Sequence, residues 1–248
     1  MSIRSPLDYI TTVRTIILAG GLGTRISEET ADKPKPMVEI GGKPVLWHII
    51  KTYRSYGFDD FTIATGYKSE VIDKYLSSDL SSEPDLKVRA FDTGLNTATG
   101  GRIKRCMDSF PGEPTFATYG DGVANIDIAA LLSFHRSHGK LATLTAVRPP
   151  ARFGRIELEG DSVTHFGEKM QSQEGWINGG FFVLEPEVSD FISGDDMPFE
   201  HDPLVNLTAA GQLRAYKHEG FWQPMDTLRE RNELEALWQS DQAPWKIW

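Results

Sequence analysis

Apolar runs of strand length alternate with helix-period segments through the first half of the chain, and this alternation narrows the fold more than any other feature. RTIILAG (14–20) reads as a short buried strand entering a glycine loop. KPVLWHIIKTYRSYG (43–57) reads as a helix: Pro44 suits the first turn, Trp47, Ile50 and Tyr53 recur near helical spacing, and Gly57 marks a stop. FTIATG (61–66) reads as a second strand and SEVIDKYL (69–76) as a second helix. LKVRAF (86–91), GGRIKRCMDSF (100–110) and TFATYGDG (115–122) repeat the pattern. Strand and helix in alternation predict an α/β chain with a mostly parallel sheet and helices on both faces. Such sheets bind ligands beyond the carboxyl ends of their strands. The opening glycine loop and YGDG both fall at such ends, so the two are expected to share one site.

The second half changes character. A helix (126–139) and a strand (141–147) precede GRIELEGDSVTHFGEK (154–169), which reads as two short strands around a Gly-Asp turn. INGGFFVLEP (177–186) is a strand, 202–211 a helix and 212–220 extended. Residues 226–239 close as an amphipathic helix with Leu228, Leu234 and Leu237 expected inside. There is no repeat, low-complexity tract or long linker. The expected organisation is an N-terminal arm (1–13) and a single domain (14–248): one continuous sheet with a small appended lobe.

Composition excludes several classes. The chain has 248 residues, 40% hydrophobic and 25% charged, enough for a core that needs no staples. Its one cysteine, Cys106, rules out an internal disulfide and a cysteine-based zinc site. The net charge of −9 argues against a nucleic-acid partner, yet leaves room for a local basic pocket that takes a phosphorylated small molecule. No apolar run approaches the roughly 20 residues of a membrane span, and residues 1–15 show no signal-peptide pattern, so no membrane partner and a cytoplasmic location are expected.

The loop itself, GGLGTR (20–25), fits neither the dinucleotide fingerprint nor the P-loop. What it offers is flexible backbone whose N–H groups can wrap a phosphate, with Arg25 adding a charged fork. Lys33 and Lys35 follow, each fixed before a proline. Two aspartates, Asp121 and Asp226, each sit in a glycine- or proline-flanked turn. As a carboxylate pair they suit Mg2+, which prefers oxygen ligands. Asp121 as a plain turn residue and Asp226 as a helix N-cap remain open alternatives. His48, His135 and His138 lack ligand spacing and read as structural or solvated; Trp238, Trp245 and Trp248 read as packing or interface anchors.

The ordered set LAGGLGTR, KPKPMVEIGGKPVLWHII, DTG, TGGRIKR, TYGDGVA, RFG, INGGFFVL and GFWQPMDTLRE resembles the sugar-1-phosphate nucleotidylyltransferases along nearly the whole chain from Arg14. It is most similar to the glucose-1-phosphate cytidylyltransferases (CDP-glucose pyrophosphorylases). The resemblance implies an α/β fold: a Rossmann-like, mostly parallel mixed sheet flanked by helices, with a small appended β/α sugar-binding lobe. It implies transfer of a cytidylyl group from CTP to a sugar 1-phosphate, with Mg2+ as cofactor, in a homo-oligomer. Leu18, Gly20, Gly21, Gly23 and Thr24 would hold the nucleotide, with Thr99, Gly100, Gly101 and Arg102 on the base and ribose side. Arg25 and Lys35 would be catalytic, and Asp121 and Asp226 would bind the metal. Glu168, Lys169, Asn178 and Gly179 would take the sugar phosphate. The chain reads Glu168-Lys169-Met170 where the family has Glu-Lys-Pro, which leaves open the same reaction on another sugar phosphate or phosphorylated acceptor. A glycosyltransferase on a similar sheet would carry Asp-x-Asp where this chain has Gly120-Asp121-Gly122.

Overall fold

The computed structural model describes residues 13–81, 83–149, 155–167 and 175–248. The first half runs β1 (Arg14–Leu18), α1 (Ser27–Thr30), β2 (Glu39–Ile40), β3 (Lys43–Pro44), α2 (Val45–Arg54), β4 (Asp60–Thr65), α3 (Ser69–Ser78), β5 (Lys87–Asp92), α4 (Thr99–Asp108) and β6 (Thr115–Tyr119). Then follow β7 (Gly122–Ala124), α5 (Ile128–His138), β8 (Ala142–Val147), β9 (Arg155–Glu159), β10 (Ser162–Gly167) and β11 (Ile177–Leu184). The chain closes with α6 (Asp202–Ala209), β12 (Leu213–His218), β13 (Trp222–Pro224) and α7 (Leu228–Gln239).

Seven strands form one sheet in the order β12-β8-β11-β6-β1-β4-β5. β6, β1, β4 and β5 are mutually parallel, and β12 is parallel to β8. β11 alone runs against its neighbours β6 and β8. Its amino end, carrying Asn178, therefore lies at the edge where the other strands have their carboxyl ends. Both faces of the sheet are covered, which is why the central strand is apolar without alternation: Ile16 and Ile17 are each 0% exposed. Ile17, Phe61, Ile63, Phe116 and Val183 pack with Leu46, Ile49 and Tyr53 of α2. Ile16, Ala64, Ala117 and Phe182 face Ile103, Cys106 and Met107 of α4.

One departure from the sequence reading has a simple cause. Leu228 is exposed at the start of α7, whereas Leu234 is fully buried. Six helical positions turn through roughly 240°, so these two leucines cannot share a face. Trp245, near the end of the chain, is completely buried. It stacks on Phe221 at 5.5 Å, and its Nε1 donates to His48 Nδ1 at 3.3 Å.

Candidate active site

The glycine loop is shaped from below. Past β1 the chain stays in the sheet for one more residue, Ala19 N donating to Ala64 O at 2.9 Å. Gly20 then turns over the buried guanidinium of Arg102. One Arg102 nitrogen donates to Gly20 O at 2.9 Å and Leu95 O at 3.3 Å; the other reaches Thr65 O at 2.9 Å and Thr93 Oγ1 at 2.6 Å. Arg102 thus ties the end of β4 to the loops that follow β1 and β5. A Cβ on Gly20 would lie 2.0 Å from its Nη1, so a side chain here would displace the guanidinium from these partners. Gly21 has open space around it, and Gly23 has φ +64°, the left-handed turn that directs the chain into the short 3-10 turn Thr24–Ile26.

Four charged residues meet beyond the loop. Lys35 stands in a second 3-10 turn, Lys35–Met37, with Pro34 before it and Pro36 within it. It is 7% exposed, and its Nζ lies 2.7 Å from Asp121 Oδ2 and 2.6 Å from Asp226 Oδ1. Arg25, largely exposed, places Nη1 at 2.7 Å from Asp226 Oδ2.

The aspartates are brought together by a small ladder. β7 pairs antiparallel with β13, Gly122 opposite Pro224, and Met225 N donates to Asp121 O at 2.8 Å. The glycines around Asp121 permit the approach: a Cβ on Gly120 would meet Leu18 O at 2.5 Å, and one on Gly122 would meet Gln223 O at 3.1 Å. Asp226 is not the cap of α7. Thr227 is, in a capping box with Glu230, whose Oε2 accepts from the backbone N of both Asp226 and Thr227. The Asp226 carboxylate is left facing Lys35 and Arg25.

A second edge of the site holds a chain of hydrogen-bonded side chains that ends on one carboxylate, Glu200. Gly180 N donates to Asn178 Oδ1 at 2.9 Å, Asn178 Nδ2 donates to the Tyr119 hydroxyl at 3.2 Å, and that hydroxyl donates to Glu200 Oε1. Burial first, and the Glu200 charge second, push the Tyr119 pKa up. Thr99 Oγ1 donates to Glu200 Oε2 at 2.6 Å. Gly179 is fixed by Trp222, whose Nε1 donates to its carbonyl at 2.8 Å. Gly100 and Gly101 are buried against residues 195–199: added Cβ atoms would come within 2.5 Å of Met197 O and 2.6 Å of Asp195 Cα. Their glycine identity serves helix–loop packing. Glu168 and Lys169, expected to take the sugar phosphate, lie outside the described residues.

A family model described as nucleotidyl transferase matches residues 14–228. The chain belongs to the nucleotidyl transferase family. The matched span of this nucleotidyl transferase contains Arg25, Lys35, Asp121 and Asp226. It is 48% identical over 256 residues to the glucose-1-phosphate cytidylyltransferase of Salmonella typhi, covering 95% of this chain and 100% of that protein. It is 41% identical over 255 residues to a probable glucose-1-phosphate cytidylyltransferase of Bacillus subtilis (strain 168), with 95% and 100% covered. The crystal structure of HddC from Yersinia pseudotuberculosis complexed with GMP-PN shares the fold, with a TM-score of 0.71 at 24% identity over 92% of this chain and 100% of that one.

Glu200, Tyr119 and Trp222 were not singled out from the sequence of this nucleotidyl transferase. Tyr119 precedes Gly120-Asp121-Gly122, and Trp222 lies in the GFWQPMDTLRE motif four residues before Asp226, so both carried a positional hint; Glu200 carried none. Among the described residues no group of three or more His, Cys, Asp or Glu side chains could hold a metal. A metal here would rest on two carboxylates and on substrate oxygens. Asp121 and Asp226 suit that role, because both already present an oxygen to one cation, the Lys35 ammonium. No helix among the described residues is long and apolar enough to cross a membrane.

Proposed function

We propose that this chain transfers the cytidylyl group of CTP to glucose 1-phosphate, giving CDP-glucose and pyrophosphate. The observation that carries the reaction class is the convergence of Lys35 and Arg25 on Asp121 and Asp226 at the mouth of the glycine loop. The base and the sugar are carried by the relatives' activity, at 48% and 41% identity over 95% of the chain.

The reaction joins two anions, so charge must be neutralised before they meet. The backbone N–H groups of the Gly20–Gly23 loop receive the triphosphate. An oxygen of the sugar phosphate attacks the α-phosphorus in line. The bond to the bridging oxygen of the β-phosphate breaks, and pyrophosphate leaves with that electron pair. Lys35 and Arg25 stabilise the charge that develops on it. No protein nucleophile is needed, and the one cysteine is unsuited to be one: burial pushes the Cys106 thiol up to about 12. Asp121 and Asp226 would hold Mg2+, which supplies further neutralisation of phosphate oxygens when bound.

The test is pyrophosphate release by the purified protein with Mg2+ and glucose 1-phosphate, offered CTP, UTP, dTTP, ATP and GTP one at a time. Release with CTP alone is expected. Release with another nucleotide in preference to CTP overturns the base assignment, and silence with all five overturns the choice of sugar or of reaction.

A further inference from the structure

The Glu200 carboxylate is exposed, yet two hydroxyls from distant parts of the chain fix it. An exposed glutamate ordinarily keeps its rotamer freedom, and ordering it costs entropy. Here each partner is itself held. Phe199 N donates to Thr99 Oγ1 at 2.8 Å, which leaves the threonine proton for Glu200. Asn178 Nδ2 donates to the Tyr119 hydroxyl, which leaves the tyrosine proton for Glu200. A carboxylate has about four acceptor positions, and this one uses one on each oxygen for its supports. The arrangement presents a preorganised acceptor to a neutral donor and repels phosphate.

Its supports come from both sides of β1, Thr99 opening α4 on the nucleotide side and Tyr119 ending β6 on the other, and the Tyr119–Asn178 arm points to the donor. Gly20 and Leu95, in the loops after β1 and β5, and Thr65, the last residue of β4, are tied by Arg102 on the nucleotide side. Tyr119 ends β6 and Asn178 begins β11, the pair of strands on the other side of β1, leading toward β8. Asp121 lies two residues beyond Tyr119 in the chain. We infer that Glu200 accepts a hydrogen bond from a hydroxyl of the sugar 1-phosphate, with Tyr119 and Thr99 as its positioning residues. This assignment of a specificity-determining residue rests on the transfer reading above.

The decisive variant is Glu200→Gln, which keeps the shape and removes the charge. Because a hydrogen bond to a charged group is strong, KM for glucose 1-phosphate should rise on the order of 10- to 100-fold. KM for CTP and the melting temperature should stay near wild type. Tyr119→Phe, which keeps the ring packing, should raise the sugar KM by roughly 3- to 10-fold. In a series of deoxy-glucose 1-phosphates, one missing hydroxyl should weaken wild type strongly and Glu200→Gln little, a coupling that a structural role does not produce. An unchanged sugar KM overturns the inference, as does a variant whose loss is in CTP-over-UTP discrimination, which would make Glu200 a base reader. Calorimetric binding of glucose 1-phosphate in the presence of an unreactive CTP analogue separates the two claims. Glu200-dependent binding without CDP-glucose formation sinks the transfer reading alone; transfer that ignores Glu200 sinks this inference alone.

Discussion

Replacing Arg102 by leucine separates a residue that holds the nucleotide from one that holds the loop. The guanidinium makes three well-formed hydrogen bonds, to Gly20 O, Thr65 O and Thr93 Oγ1, and a longer one to Leu95 O. At roughly 1.5–3 kcal/mol for each bond to a charged donor, a simple sum for the three would reach about 5–9 kcal/mol. That sum is too large here. Gly20 O also accepts from Tyr67 N, and Thr65 O also accepts from Thr93 N and Thr93 Oγ1, so neither carbonyl is orphaned. Losing a buried charge also removes its desolvation cost. A net loss of about 2–4 kcal/mol follows, which for a chain of this size lowers the melting temperature by roughly 5–15 °C. Freed from below, the Gly20 carbonyl no longer fixes the loop, so CTP binding should weaken as well. The assay is a thermal melt without nucleotide beside calorimetric CTP binding for Arg102→Leu. A variant that melts within about 1 °C of wild type while losing CTP binding would refute the bracing argument and make Arg102 a direct contact.

Other perturbations test neighbouring parts. Lys35→Met should reduce turnover on the order of 10²–10³-fold. It should also increase the rise in melting temperature that Mg2+ gives without nucleotide, because the ammonium no longer competes for Asp121 and Asp226; an unchanged Mg2+ response counts against those two as the metal site. Thr227→Ala removes the α7 cap and should cost about 1 kcal/mol in urea denaturation; a larger fall in activity than in stability would show that the cap also aims Asp226. Burial lowers the pKa of His48 from 6.5 to about 4, so it stays neutral in the fold while the unfolded chain takes up a proton first. Its contribution, on the order of 3 kcal/mol, is present above pH 6.5 and is lost as pH falls through about 4. His135, His138 and His218 are lowered in the same sense, so His48→Gln should flatten this acid slope without abolishing it; an unaltered urea profile between pH 7 and 4 would contradict the assignment.

The sequence made the strand–helix alternation legible because each parallel strand is buried on both faces and each helix on one. Lys35, Asp121 and Asp226 were legible through the resemblance of the motifs that contain them, and the prolines and glycines around them mark the turns that let them meet. The reversed direction of β11 was not legible, since an apolar strand looks the same read either way. Gly100, Gly101 and Arg102, which the resemblance puts on the base and ribose side, also have structural roles the sequence did not show: the two glycines pack against residues 195–199, and the arginine braces Gly20, Thr65, Thr93 and Leu95. Glu200 was invisible for a different reason. Its partners Thr99 and Tyr119 are 101 and 81 positions away, and only the folded sheet sets them beside it. The capping role that Asp226 could have taken falls to Thr227, a distinction one residue wide that helix geometry decides.

The central claim is that the sugar phosphate itself attacks the α-phosphorus of CTP. Glucose 1-phosphate carrying 18O in its three non-bridging phosphate oxygens, incubated with the protein, CTP and Mg2+ and followed by mass spectrometry, tests it directly. The account predicts CDP-glucose that retains every labelled oxygen, with unlabelled pyrophosphate released in equal amount. Label in the pyrophosphate, or consumption of CTP without a labelled nucleotide sugar, would contradict it.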